Sequence, residues 1–175
     1  MRPQLSVTPA DQLTPAERTE IVRLCSAAFA EDLSNLFDLL PGSTHVLVRN
    51  RQELVGHACW VTRWLQPADL PPLRTAYVEA VATNPSRQGR GIGRAVMQRL
   101  GEEITGYDLG ALSPAVEEFY ERLGWEMWRG PTAIRMEDAV VSTPGEEVMI
   151  LRTPRTPPLD LDGSISAEWR QGELW

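Results

Sequence analysis

The sequence predicts an α+β fold, a mixed and mostly antiparallel β-sheet flanked by helices, in one domain over residues 1–175. Three observations carry this expectation. β-branched and aromatic runs stand before and after a central strand, helix, strand, helix order. The stretch "RQGRGIGR" at 87–94 turns a strand into a helix. No interval is long enough to act as a linker, and no internal repeat is present.

The elements follow in order. "QLSV" at 4–7 is a first strand, and "TPAERTEIVRLCSAAF" opens a helix with Thr14 as N-cap, Pro15 at the first position and Glu17 completing a capping box. Ile21, Leu24, Cys25, Ala28 and Phe29 recur at helical spacing and predict its buried face. "EDLSNLFDLLPG" is a short helix or loop stopped by Pro41 and Gly42. "HVLVRN" and "ELVGHACWVTRWL" read as an antiparallel hairpin, and "LRTAYVEAVAT" is a strand ended by Asn84 and Pro85. After the glycine cluster, Val96, Met97, Leu100 and Ile104 mark one helical face. "DLGALS" is a strand; Ser113 and Pro114 then cap and start a helix whose stripe is Val116, Phe119, Tyr120 and Leu123, stopped at Gly124. "EVMILRT" is a late strand, and Trp60 and Trp125 are assigned to the core.

Composition narrows the function. With 42% hydrophobic and 23% charged residues the chain is globular in type. "MRPQLSVTPADQL" has no apolar signal segment and no stretch approaches the roughly 18 apolar residues of a membrane span, so a cytoplasmic protein without a membrane partner is expected. Cys25, Cys59, His45 and His57 lack the paired spacing of metal sites, so neither a metal nor a disulfide framework is expected. The formal net charge of −7 argues against nucleic acid and favours a polycationic ligand.

A strand-to-helix glycine turn offers unpaired amides and the positive end of a helix dipole, which suits phosphate, and Arg87, Arg90 and Arg94 could add bidentate contacts. A P-loop needs a lysine, and all 17 Lys/Arg positions here are arginine. A dinucleotide fingerprint needs G-x-G-x-x-G, whereas Gly89, Gly91 and Gly93 alternate.

The spacing Gln88-x-x-Gly91-x-Gly93 resembles motif A of the GNAT superfamily of acyl-CoA N-acyltransferases, and "SPAVEEFYERLGW" resembles that superfamily's second signature, a helix ending F-Y-x-x-x-G-[FW]. Further segments are similar to the aminoglycoside 2'-N-acetyltransferase branch: "AAFAED" at 27–32, "LVGHA" at 54–58, "YVEAVAT" at 77–83, "LGALS" at 109–113, "GPT" at 130–132 and "EWRQGELW" at 168–175. The resemblance implies a GNAT-type sheet, acetyl-CoA as donor with CoA as product, a cationic aminoglycoside as acceptor, and a homodimer.

The same resemblance implies roles. Glu79 matches the general base acting through water, and Tyr120 the acid that protonates the departing thiolate. Val81, Ala82 and Thr83 match the backbone that holds the pantetheine arm, and Gln88, Gly89, Arg90, Gly91, Ile92 and Gly93 match the pyrophosphate loop. Asp32, Asp38, Glu79, Ala80, Ser113, Glu146, Glu147, Glu173 and Trp175 with its carboxylate match substrate contacts. The chain departs from the branch in having Glu173, Glu146 and Glu147 where aspartates are usual, in the displaced position of Asp38, and in a shorter loop before Tyr120. Alternatives are a GNAT acetylating another small polyamine or a protein N-terminus, and a non-catalytic acyl-CoA-binding regulator.

The chemistry is consistent with these roles. An amine is protonated at pH 7 and must lose a proton to attack a thioester. Glu79 is the one charged residue in "AYVEAVAT", and strict alternation would place it with Tyr77, Val81 and Thr83; a solvent-facing strand glutamate is the plainer reading. Tyr120 is either a proton donor or a core ring. A backbone amide freed by a bulge near Val81 would serve a developing oxyanion.

Overall fold

The structure is a computed structural model that describes residues 4–172 and 174–175. Glu173, expected to touch substrate, lies outside the described residues. The expected α+β architecture is present: four α-helices and ten β-strands among the described residues, most strand pairs being antiparallel. The chain divides into two compact units, Met1–Val61 with Val78–Glu103, and Thr62–Tyr77 with Ile104–Trp175.

The first unit contains β1 (Gln4–Pro9), α1 (Pro15–Phe29), α2 (Leu36–Leu39), β2 (Thr44–Asn50), the start of β3 (Glu53–Pro67), the end of β4 (Leu73–Thr83) and α3 (Ile92–Glu103). β1 runs antiparallel to β2, and β2 to β3 in the expected hairpin, from Thr44 opposite Trp60 to Asn50 opposite Glu53. The capping box forms as the sequence predicts: the Glu17 amide donates to Thr14 Oγ1 at 3.3 Å and the Thr14 amide to Glu17 Oε2 at 2.9 Å. Ile21, Leu24 and Cys25 are buried, but Phe29 is 45% exposed. The next residue, Ala30, turns left-handed (φ 55) and ends α1, so Phe29 sits on a terminal turn and not over the core. On α3, Val96, Met97 and Leu100 are buried as expected, and Ile104 begins a separate 3-10 turn. Gly56 on β3 lets α3 approach the sheet, because a Cβ there would stand 2.5 Å from Ile92 Cγ2.

The second unit contains the remaining parts of β3 and β4 with β5 (Leu109–Leu112), α4 (Glu117–Glu121), β6 (Glu126–Met127), β7 (Thr132–Arg135), β8 (Val140–Ser142), β9 (Met149–Arg152) and β10 (Ile165–Glu168). Its strands lie in the order β6, β9, β5, β4, β3, β10, β7, β8. β5 is parallel to β4 and β10 is parallel to β7, while the other described pairs are antiparallel. The sequence reading missed β7, β8 and β10, which are short and lack a long apolar run. It also misplaced the start of α4. The helix begins at Glu117 after an extended Val116, and Val116 is 55% exposed. Ser113 is exposed and caps nothing, because Pro114 and Ala115 precede the first helical turn as irregular backbone. Of the predicted stripe, Tyr120 is buried while Phe119 and Leu123 are half-buried; Gly124, at φ 88, ends the turn as expected. Among the described residues, no helix is long and apolar enough to cross a membrane.

Candidate functional site

In the first unit, β4 leads directly into the glycine loop. Extended alternation along β4 does not survive to Thr83, because Ala80 has φ 50, a left-handed conformation that belongs to β-bulges and costs an L-residue about 1–2 kcal/mol. The expected irregularity near Val81 thus falls at Ala80, and the predicted common face of Glu79 with Val81 and Thr83 is interrupted there. Glu79, Ala80, Val81 and Thr83 are half-buried, and Ala82 is buried.

Past β4, Asn84 accepts from the Ser86 amide at 3.0 Å and shapes a 3-10 turn, Pro85–Arg87. Arg87 is engaged by Glu53 at 3.3 Å, which leaves Arg90 and Arg94 as the exposed guanidinium groups of the motif. Gly89 and Gly91 have φ 71 and 78, and a Cβ on either would meet nothing within 4 Å. The glycines are therefore required by conformation and not by crowding, and the space above them is open. The first bond at this end of α3 runs from the Ala95 amide to the Gly91 carbonyl at 3.0 Å. The amides of Ile92, Gly93 and Arg94 precede that ladder and stand at the positive end of the helix. Exposed amides at a helix start are the kind of backbone that can hold an anion.

Asp32 and Asp38 are exposed, and Asp32 accepts from the Ser34 amide at 3.0 Å within its own turn. Beneath α1 and α2 lies a polar chain that the spacing of its members did not reveal. Ser43 Oγ is 2.9 Å from His45 Nε2, His45 Nδ1 is 2.9 Å from His57 Nε2, and His57 Nδ1 is 2.8 Å from the Ala80 carbonyl oxygen. Cys59 Sγ donates to the Glu79 carbonyl at 3.5 Å, and Cys25 Sγ lies 3.5 Å from His57 Nδ1. His45, His57 and Cys59 bring possible ligand atoms within 4.8 Å of one another, but all four imidazole nitrogens are committed to hydrogen bonds.

In the second unit, Tyr120 is 7% exposed and packs edge-on to Trp125 at 6.1 Å. Burial pushes its phenol up to about 12, so it holds its proton throughout the neutral range. The sequence placed Glu146 and Glu147 in a binding role, and both line one cavity of about 400 Å³ together with Glu117, which it missed. Trp128, Arg129 and Thr132 are among its other lining residues. The segment carrying these acids is tied to Trp175, whose indole N–H donates to Thr143 Oγ1 at 2.9 Å. Trp175 is 5% exposed. Arg63, also missed, is 1% exposed and donates to the Leu174 carbonyl and the Glu168 carbonyl, each at 2.7 Å. A lone arginine in the apolar run "CWVTRWL" was the signal available for it.

An open glycine cradle at the start of α3 thus follows a strand interrupted by the left-handed Ala80 in a mixed sheet. The profile of the acetyltransferase (GNAT) domain matches residues 10–128, and the chain belongs to that family. It is 33% identical over 161 residues to an aminoglycoside 2'-N-acetyltransferase of Mycolicibacterium fortuitum, an alignment that covers 87% of this chain and 82% of that one. The GNAT family N-acetyltransferase YhbS of Escherichia coli, solved in complex with CoA, shares the fold with TM-score 0.68 and 14% identity over 98% of this chain and 91% of that one. Eis1 of Mycobacterium abscessus aligns with TM-score 0.61 and 22% identity over 74% of this chain, which spans 32% of the Eis1 chain.

Proposed function

We propose that the protein is an acetyl-CoA-dependent N-acetyltransferase acting on the 2'-amino group of an aminoglycoside. The observation that carries the acceptor is the cavity of about 400 Å³ walled by Glu117, Glu146 and Glu147, since clustered carboxylates attract and orient a polyammonium ligand. The name of the 33% identical relative supports the same acceptor.

Acetyl-CoA supplies the thioester, and the glycine cradle with the Ile92–Arg94 amides suits its diphosphate. Val81, Ala82 and Thr83 are the backbone assigned to the pantetheine arm. Glu79 takes a proton from the substrate ammonium through water, and the neutral amine that results attacks the thioester carbonyl. Tyr120 keeps its proton across the working range, as a donor to a departing thiolate must. Asp32, Asp38, Ser113, Glu173 and Trp175 are assigned to acceptor binding alongside the cavity acids. A homodimer belongs to the same reading: on the outermost strand, β8, Val140 and Val141 are 67% and 48% exposed, an apolar edge that a second copy would cover.

The test is thiol release from acetyl-CoA with a panel of aminoglycosides that carry or lack a 2'-amine. Turnover confined to the 2'-amino compounds is expected. Turnover with none of them, or with polyamines and peptide N-termini in their place, would remove the reading.

A further inference from the structure

The Ala80 turn in β4 needs a cause, because a left-handed alanine persists where its surroundings hold it. Two successive carbonyls at the turn receive side-chain donors from β3: Glu79 O from Cys59 Sγ at 3.5 Å and Ala80 O from His57 Nδ1 at 2.8 Å. His57 and Cys59 are two residues apart and so share a face of β3, which thereby supplies donors where the turn interrupts extended backbone.

The hydrogen bonds also have a fixed direction. A carbonyl oxygen can only accept, so the proton of neutral His57 is on Nδ1 and its Nε2 is an acceptor. His45 must then donate from Nδ1 to His57 Nε2, which leaves His45 Nε2 to accept from the Ser43 hydroxyl. One tautomer is permitted for each ring, and each fixes the next. Phe37 closes over His45, with ring centroids 5.3 Å apart, and both histidines are fully buried.

We infer that His57 is a positioning residue for acetyl transfer, held in its Nδ1–H tautomer by His45 and Ser43, and that it fixes the Ala80 turn on which Glu79 and the Val81–Thr83 backbone depend. The inference rests on the assignment of Glu79 as base and deepens it by naming what aims that residue. Glu79 directly precedes the left-handed Ala80, so the direction of its carboxylate relative to residue 81 is set by that backbone turn. Without a donor at its carbonyl, Ala80 would relax toward extended φ and swing Glu79.

The amide nitrogen of an asparagine lies where Nδ1 of a histidine does, whereas that of a glutamine lies near Nε2. His57→Asn therefore keeps the donor to Ala80, and His57→Gln and His57→Leu do not. With whichever aminoglycoside gives turnover, we expect kcat to fall about 10²-fold and KM for acetyl-CoA to rise in His57→Leu and His57→Gln, and both to stay within about threefold of the parent in His57→Asn. A drop in melting temperature with kcat preserved in His57→Leu would reduce His57 to a packing residue and overturn the proposal. Nitrogen-15 NMR of the ring nitrogens, which needs no substrate, should show Nδ1 protonated and Nε2 bare on both rings; an Nε2–H tautomer at His57, or one equivalent of zinc in the purified protein, would also overturn it. If Glu79→Gln retains full activity while the NMR result holds, the assignment of the base fails and the tautomer chain stands.

Discussion

The indole N–H of Trp175 donates to Thr143 Oγ1 at 2.9 Å, and Thr143 passes its own hydroxyl proton on to Thr132 Oγ1, also at 2.9 Å. Thr132 completes the ring by donating to the Thr143 carbonyl at 2.7 Å. One hydrogen bond thus joins residue 175 to the segment that bears Glu146 and Glu147, and two more fasten that segment to Thr132 on β7. Thr143→Val removes the acceptor while keeping shape, at a cost of about 1 kcal/mol. The aminoglycoside KM should rise about fivefold with the acetyl-CoA KM unchanged. Equal rises in both would show that the link serves general stability only.

Gly91→Ala should give the reverse pattern. Its φ of 78 strains any L-residue, while open space around it means no clash. A cost of about 1–2 kcal/mol falls on the loop proposed to hold the diphosphate, so acetyl-CoA KM should rise about tenfold and aminoglycoside KM should not. Isothermal titration with CoA reads this directly.

Glu79→Gln keeps size and removes the proton acceptor. At pH 7 kcat should fall about 10²- to 10⁴-fold and recover in part at alkaline pH, where the amine is already neutral. A flat, unchanged pH–rate profile would exclude Glu79 as the base.

Arg63 stacks over the Tyr77 ring at 4.8 Å and satisfies the carbonyls of Glu168 and Leu174. Arg63→Met fills similar volume but orphans those oxygens, so urea unfolding should show a loss of about 3 kcal/mol or more. Arg63→Lys should recover less than half, because an ammonium cannot reproduce a planar fork.

Acid should weaken the first unit through its two buried histidines. Burial, with the neighbouring His57 and Arg18 charges, holds His45 at about 3, and burial holds His57 at about 4 despite its bond to Ala80. Among the described residues, Ser43, Cys25, Cys59 and Phe37 also stand beside these rings, and none of the four is a carboxylate. Both pKa values lie below the 6.5 of the unfolded chain, so the unfolded state binds more protons as pH drops. The stability is intact above about pH 6.5 and declines toward pH 4. Melting temperature should drop between pH 6.5 and 4.5, and His45→Gln/His57→Asn should flatten that slope.

Local chemistry carried much of the fold into legibility. Thr14 and Glu17 announce α1 within four residues, and the β2–β3 hairpin and the α3 stripe follow from periodicity in the chain itself. The glycine loop was legible for the same reason, since a positive φ demands glycine at 89 and 91. Reading failed where distant chain decides. Ser113 and Pro114 satisfy every local rule for a helix start, yet α4 waits until Glu117. His45 and His57 look isolated at a separation of twelve residues, and only the hairpin register makes them neighbours. Arg63 finds its partners more than a hundred residues away.

The two thiols have a practical bearing on turnover measured by thiol release. Cys25 and Cys59 are wholly enclosed, and burial raises Cys25 to about 12 and Cys59 well above its ordinary value. A disulfide dye such as Ellman's reagent will therefore colour with released coenzyme while the native protein contributes no background. Added to denaturant, the same dye becomes a stopwatch for global opening of the first unit, with two equivalents marking completion.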